Sequence, residues 1–393
     1  MTNKKLKVDN VPNLRFPEFE GEWETKKLGE IATFSKGKGI SKSDIEENGI
    51  IECIRYGELY THYREVINEI KSKTNVNPST LVLSEKNDVI IPASGETTID
   101  IATASCVLKS GIALGGDLNI IKTNNNGIFL SYYLNSKKKM EIANLAQGIS
   151  VVHLYSSQLS SLSLAIPKLN EQNKISSFLA LLDKRIQTQS KIIKELLASK
   201  ATFAKKIFSQ EFRFKDNNGN DFSYWEEILL GDVLDYEQPT NYLVTSTEYD
   251  NSFETPVVTA GKTFVLGYTN EIKGIFEKEK LPVIIFDDFT TASQFVNFPF
   301  KAKSSAMKIL KAKNKNNIKF LFEAIQMIAY ETGGHGRHWI SIFSNLEIML
   351  PSFDEQTKIA NFLSSIDSKI EVENQLLQKL KEQKKFLLQQ MFV

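Results

Sequence analysis

The sequence predicts an α+β chain. Two globules of mixed helix and strand are joined by a pair of long antiparallel helices and related by a pseudo-two-fold repeat. Three observations carry this reading: the end segments of each half recur, the recurring ends hold a helical apolar seam, and the stretches between them alternate short β-type runs with turn residues.

The repeat comes first. Leu162 to Ser209 align without a gap on Leu346 to Val393, at a constant offset of 184 residues and with 13 identities in 48 positions. Pro167 meets Pro351, Glu171-Gln172 meets Glu355-Gln356, and Lys174-Ile175 meets Lys358-Ile359. Phe178-Leu179, Asp183, Ile186, Leu196, Lys200 and Phe208 likewise meet Phe362-Leu363, Asp367, Ile370, Leu380, Lys384 and Phe392. A second pair of segments opens each half: Trp23-Glu24 with Leu28-Gly29-Glu30-Ile31 recurs as Trp225-Glu226 with Leu230-Gly231-Asp232-Val233, at an offset of 202. The offsets differ, so framework is repeated while the intervening content is not.

The recurring ends read as helices. Ile175, Leu179, Leu182, Ile186, Ile193, Leu196, Phe203 and Ile207 alternate steps of four and three once Gln189 and Lys200 fill two polar slots, which is a heptad seam. The second copy has Ile359, Leu363, Ile366, Ile370, Leu377, Leu380, Leu387 and Met391, with Glu373 and Lys384 in the same slots. Asn170 and Asp354 are candidate N-caps, and about 38–40 residues make a rod roughly 60 Å long. A lone seam would be exposed, so each copy is expected to pair antiparallel with the other. The polar slots suggest a register with Lys200 opposite Glu373 and Lys384 opposite Gln189; the alternative is that both lysines reach solvent.

Between the ends, Ile50 to Ile54, Val89 to Pro92 and Ile112 to Lys122 read as strands and Phe129 to Gln147 as helix. The second half repeats the order: Pro256 to Tyr268, Leu281 to Phe286 and Phe295 to Leu310 as strands, Ile318 to Thr332 as helix. The boundaries expected are 1–160 and 213–345 for the globules and 161–212 and 346–393 for the helical regions.

Composition excludes several classes. Apolar residues are 41% and charged residues 24%, so the chain can bury real cores. Cys53 and Cys106 are its two cysteines, with no CxxC spacing, which fits a reducing, cytoplasmic compartment. The start, MTNKKLKVDN, lacks a signal-peptide apolar region, and no apolar run is long enough to span a bilayer. Gly261-Lys262-Thr263 lacks the earlier glycine of a phosphate loop, since Pro256 stands there. No GxGxxG follows a strand, no amino-methyltransferase tetrapeptide occurs, and the four histidines have no supporting ligands at metal spacing. Glu271-Ile272-Lys273 has a nuclease-like spacing that a solvated turn also explains. By elimination the chain is a binder without catalytic groups or metal.

Net charge is +1, so a nucleic-acid case must rest on where charges sit. Between Lys301 and Lys319 stand seven lysines and no acid, and Lys301 and Lys303 beside Phe298 and Phe300 suit a phosphate-tracking ridge as well as a solvated strand edge. Lys36 and Lys38, with Lys42, lie in a Gly- and Ser-containing loop whose glycines would let backbone approach phosphates. Arg55, followed by Tyr56, can grip guanine through its guanidinium fork or else pair with Glu52 or Glu58. Ser94 and Thr97 offer hydroxyls after a strand. Gln147, Ser150 and His153 follow the first helix, and His335, Arg337 and His338 occupy the Gly-rich loop after the second. Asp287-Asp288 is an acidic turn that could orient these basic groups or accept from cytosine.

Leu-x-Ile/Leu-Pro followed by Glu-Gln-x-Lys-Ile-x-x-Phe-Leu and a long helix, twice over, resembles the specificity subunit of type I restriction-modification systems. The opening Leu14-Arg15-Phe16-Pro17-Glu18-Phe19 through Trp23-Glu24 and Lys27-Leu28-Gly29-Glu30-Ile31, echoed from Arg213-Phe214 onward, is also typical of it. So is Ile285-Phe286-Asp287 leading to Val296-Asn297-Phe298-Pro299-Phe300 and then Arg337-His338-Trp339. Asp288-Phe289 departs from the Gly-Asp-His/Asn wording expected there, so no contact role carries over to those two residues. The resemblance implies two target-recognition domains, each reading one half of a bipartite, asymmetric site in double-stranded DNA, with a spacer set by the helices. It implies docking of two modification subunits, which carry S-adenosylmethionine and methylate adenine, and of restriction subunits that use ATP and Mg. This chain would then be a non-catalytic subunit, nearly neutral overall and borrowing its electrostatic grip on DNA from its partners. A coiled-coil scaffold, or a two-domain nuclease or methyltransferase, are the competing classes.

Overall fold

The computed structural model describes residues 10–148, 150–261, 263–330 and 338–393. The chain divides into two compact units, 1–190 with 375–393 and 191–374.

In the first unit a five-stranded sheet runs in the order Ala32–Lys36, Leu118–Thr123, Val89–Pro92, Ser105–Val107 and Val66–Ile67. A four-stranded sheet, Ser72–Thr74, Ile51–Ile54, Ala113–Leu114 and Val82–Leu83, adjoins it. The expected strand over Ile112 to Lys122 is thus two strands serving different sheets, because Gly115-Gly116 lets the chain turn between them. The expected helix Phe129 to Gln147 is two, Gly127–Ser136 and Lys139–Leu145. In the second unit the sheet order is Leu234–Glu237, Met307–Ala312, Val283–Asp287 and Ser293–Val296. Pro256 to Tyr268 is a hairpin of Thr255–Val258 with Val265–Thr269, and Phe295 to Leu310 breaks around Pro299 into three strands. The helix there is Ile318–Gln326; Thr332 lies outside the described residues.

The repeated segments are strand and helix partners. Glu24–Lys27 pairs antiparallel with Ser163–Ile166, and Glu226–Leu229 with Glu347–Leu350, so each Trp-Glu opening is stitched to the strand that leads into a long helix. The long helices run Leu169–Phe208 and Phe353–Gln390. Each opens on the Glu-Gln pair, and both residues are buried there. Glu171 accepts from the Arg15 guanidinium at 2.7 and 2.7 Å and from the Trp23 indole at 3.3 Å; Glu355 accepts from Arg213 at 3.1 and 2.6 Å and from Trp225 at 3.0 Å. Gln172 accepts from the Asn126 amide and donates to the Pro167 carbonyl, and Gln356 does the same with Asn317 and Pro351. Asn126 and Asn317 are in turn the N-caps of the shorter helices, Gly127–Ser136 and Ile318–Gln326.

Antiparallel pairing of the long helices is seen inside each unit. In the first, Ile175, Leu179, Leu182 and Ile186 share a core with Leu380, Leu387, Met391 and Phe392; in the second, Ala204 and Ile207 share one with Ile359 and Leu363. Phe392 lies 6.5 Å from Trp23, and Phe208 6.3 Å from Trp225, both edge-on. Leu196, Ile370 and Leu377 are half-buried on the seam, and Phe203, 42% exposed, meets Phe362 edge-on at 5.3 Å.

The register differs from the one expected. The Lys200 ammonium sits 2.8 Å from Asp367 and 2.9 Å from Glu323, not on Glu373. Lys384 sits 2.7 Å from Asp183 and 3.1 Å from Glu65, not on Gln189. The reason is electrostatic: a half-buried ammonium settles on a carboxylate, and the repeated Asp183 and Asp367, just off the apolar seam, are the ones in reach. The Tyr132 hydroxyl, held protonated by burial and by the neighbouring Asp183 charge, donates to Asp183 at 2.5 Å.

Candidate nucleic-acid interface

Strand register brings the first unit's candidates to one end of its sheet. Lys36 ends one strand opposite Asn119, the second residue of the next, and Leu118, its first, faces Pro92 at the end of the third. Beyond Pro92, Ser94 pairs with His153, and His153 bridges to Gln147. His153 stacks on Tyr155 at 6.4 Å, and the Lys36 ammonium lies 5.9 Å from the same ring. Lys36, Gln147, His153 and Tyr155 are exposed, so they form one basic and aromatic patch. Ser150 is exposed nearby in sequence, whereas Ser94 is buried and contributes backbone pairing. Thr97 caps the short helix Thr98–Ile101 through its hydroxyl, 3.1 Å from the Asp100 amide.

Lys38, exposed, follows Gly37 in a loop tied to Leu114. The glycine has a different purpose from the one expected: a Cβ on Gly37 would stand 2.0 Å from the Gly115 carbonyl oxygen, so its bareness lets two backbones pack, not a phosphate approach. Across the resulting cleft, lined by Gly39, Ile40, Ser41, Lys42 and Gly115, stand Arg55 and Tyr56. Arg55 lies 3.6 Å from Glu58 with 27% of its side chain exposed, while Glu52 pairs with Lys109. Glu58 also accepts from the Arg55 amide and the Ser72 hydroxyl, and the half-buried Arg55 guanidinium, paired with Glu58, lines the cleft.

The lysine run of the second unit changes meaning. Lys301 is buried, 2.6 Å from Glu271 and donating to the Lys273 carbonyl; Lys308 is buried 3.4 Å from Asp288. Lys311 pairs with Glu237, Lys313 donates to the Gly231 carbonyl, and Lys319 bridges Glu323 and Asp367. Five of the seven lysines are therefore neutralised or tied by groups far away in sequence, and Lys301 belongs to no exposed ridge. Lys303 remains half-buried over the Tyr249 ring at 5.5 Å, beside exposed Ser304 and Ser305. Glu271 is engaged by structural partners. Burial pushes its pKa up, but Lys301, the Ser246 amide and the Thr245 hydroxyl and amide outweigh this and bring it to about 2.

His335 and Arg337 lie outside the described residues. His338 is described and is buried, with no hydrogen-bond partner on either ring nitrogen among the described residues, its ring 5.6 Å from that of Tyr330. Its side chain is therefore packed inside the second unit. Among the described residues no cluster of His, Cys, Asp and Glu is gathered for a metal, and no helix is long and apolar enough to cross a membrane.

The family model for the type I restriction modification DNA specificity domain matches residues 20–198 and again 223–382, so each copy takes in one of the two unlike middle segments and most of the long helix after it. The chain belongs to this type I restriction-modification specificity family. Its role is DNA recognition within a restriction-modification system. The specificity subunit of the EcoR124I/EcoR124II enzyme of Escherichia coli is 44% identical over 160 residues, which is 37% of this chain and 40% of that one. The MjaVIII specificity subunit of Methanocaldococcus jannaschii is 23% identical over 98% of this chain and 95% of its own length. The fold is that of the type I S subunit of M. genitalium, with a TM-score of 0.67 at 16% identity, covering 98% of this chain and 99% of that one.

Sequence reasoning missed Tyr155, 46% exposed and central to the first unit's patch, and Tyr249 beneath Lys303. Tyr155 carried a usable signal: it stands two residues after His153, the spacing that places side chains on one face of extended chain.

Proposed function

We propose that each unit of this specificity subunit reads one half of a bipartite, asymmetric DNA site through the strand-end loops described above, Lys36, Lys38, Arg55, Tyr56, Gln147, His153 and Tyr155 serving the first half-site. Phosphate contacts from the lysines position the unit, and the Arg55 fork is the base reader. Stacking of His153 and Tyr155, sequence-tolerant by nature, helps hold a deformed duplex. One observation supports this most: the residues that build the framework occur twice, while the strand-end loops they hold share no wording.

The long helices then dock two modification subunits, which bring S-adenosylmethionine to adenine, and helix length sets the spacer; restriction subunits add ATP- and Mg-dependent cleavage. Exposed apolar residues along the helices, among them Leu181, Leu197, Val372 and Phe386, support a protein-facing role. The work is cytoplasmic. Replacing residues 220–345 with another recognition domain, followed by methylome sequencing, should change one half-site and leave the other intact. A change in both halves together refutes the two-reader mechanism.

A further inference from the structure

At an equivalent point of each main sheet a polar residue is buried. Thr123 pairs with Ala32 in the first unit and Ala312 with Leu234 in the second, and four residues earlier on the same strands stand Asn119 and Lys308. Asn119 faces Ile91, and Lys308 faces Phe286. Two residues beyond those partners come Ala93 and Asp288, whose carbonyls accept from the chain as it returns from the variable region: Leu154 donates to Ala93 at 3.0 Å, His338 to Asp288 at 2.8 Å. Ala93, Asn119 and Leu154 therefore correspond to Asp288, Lys308 and His338.

The two triplets hold the returning chain by different chemistry. In the first unit the neutral Asn119 amide donates to the Leu154 carbonyl at 2.9 Å. In the second, the Asp288 carboxylate accepts from the Trp339 amide at 2.8 Å, and Lys308 stands 3.4 Å from it as counter-charge. Asp288 and Lys308 are each 1% exposed. A buried ion pair is a poor stabiliser compared with neutral groups of similar size, and the first unit shows that a neutral solution fits the same place. A carboxylate accepts along defined directions, and Asp288 also joins the starts and ends of two strands, its amide donating to Ala306 at 3.0 Å.

We propose that the Asp288–Lys308 pair is the positioning device of the second recognition unit. It sets where the chain re-enters the fold at His338-Trp339, directly after Arg337, and so sets the selectivity of one half-site without touching DNA. This rests on the two-reader proposal above. Asp288 and Lys308 are positioning residues, and the first unit has no ionic equivalent.

The test uses the full chain assembled with its modification subunits, methylating a library of duplexes that carry single-base changes in either half of the wild-type site. Asp288→Ala should lower discrimination in one half-site by roughly tenfold, about the value of one base contact, with the other half unchanged. The double variant Asp288→Ala with Lys308→Asn installs the first unit's solution and should restore discrimination to within about threefold of wild type. Unchanged discrimination in Asp288→Ala overturns the proposal, as does a double variant no better than the single. Should Asp288→Ala fail to assemble, the double variant decides alone: recovered assembly with half-site selectivity supports the device, and failure refutes it. Failure of the two-reader proposal itself would appear separately, as wild-type discrimination that cannot be divided between halves when residues 220–345 are exchanged.

Discussion

Glu355 offers the sharpest test of how the repeated residues act. Its carboxylate is fully buried and receives two bonds from Arg213 and one from the Trp225 indole. Glu355→Met keeps the volume and removes every acceptor. The indole N–H then lacks a partner, at a cost of about 1–3 kcal/mol. Arg213 loses its counter-charge; a fully buried orphan costs about 3–5 kcal/mol, but Arg213 keeps 23% of its side chain in solvent, so the low end applies. The sum is about 4–6 kcal/mol. In a Trp23→Phe background the remaining tryptophans, Trp225 and Trp339, both lie in the second unit and report its urea unfolding. With a urea slope of about 2–3 kcal/mol/M, the midpoint should fall by about 1.3–3 M. The Arg213→Met/Glu355→Met double variant should recover about half of the loss, because no buried charge is then orphaned. A loss below about 1 kcal/mol in Glu355→Met would show that the site behaves as a surface pair, and the reading of the repeated Glu-Gln as a buried anchor would fail.

Stability should also depend on acid through Glu271. Its folded pKa is depressed to about 2, so its contribution is complete above the unfolded value and is lost as pH falls through about 2; Glu271→Gln should flatten the urea midpoint between pH 4.5 and 2 relative to wild type. Neither thiol should react with a disulfide reagent at pH 8 until the chain unfolds, since burial pushes Cys53 up to about 11 and Cys106 up to about 12; rapid native-state labelling would contradict their placement. Gly37→Ala forces the Lys36–Lys38 loop away from Gly115 and should cost about 1–3 kcal/mol in the first unit, with weakened reading of one half-site in the methylation library; a neutral substitution would mean the loop has slack. Lys384→Met orphans Asp183 and Glu65 and should destabilise the first unit by about 2–3 kcal/mol, seen through Trp23 emission, with Asp183→Asn restoring part of it.

Legibility followed physical range. The long helices were readable because a seam recurs every three or four residues, and the architecture because one sentence of framework is written twice. The meaning of the lysine run was not readable, since charge neutralisation is set by spatial neighbours: Glu271, Glu237 and Asp288 reach Lys301, Lys311 and Lys308 across the fold. The helix register failed for a related reason. Periodicity selects a face, but which carboxylate meets Lys200 depends on how far one helix slides along the other, and packing inside each unit, such as Phe208 on Trp225 and Phe392 on Trp23, is not written in that periodicity.

By itself, then, the sequence carried the family resemblance, the doubled α+β architecture and the segments whose wording differs between the two halves. Only the tertiary structure decided which basic groups stay exposed, where the helices sit in register, and that Asp288, Lys308 and His338 are buried together. Local patterns carry backbone periodicity and burial, whereas the fate of a charge is decided by what the folded chain brings within a few ångströms of it.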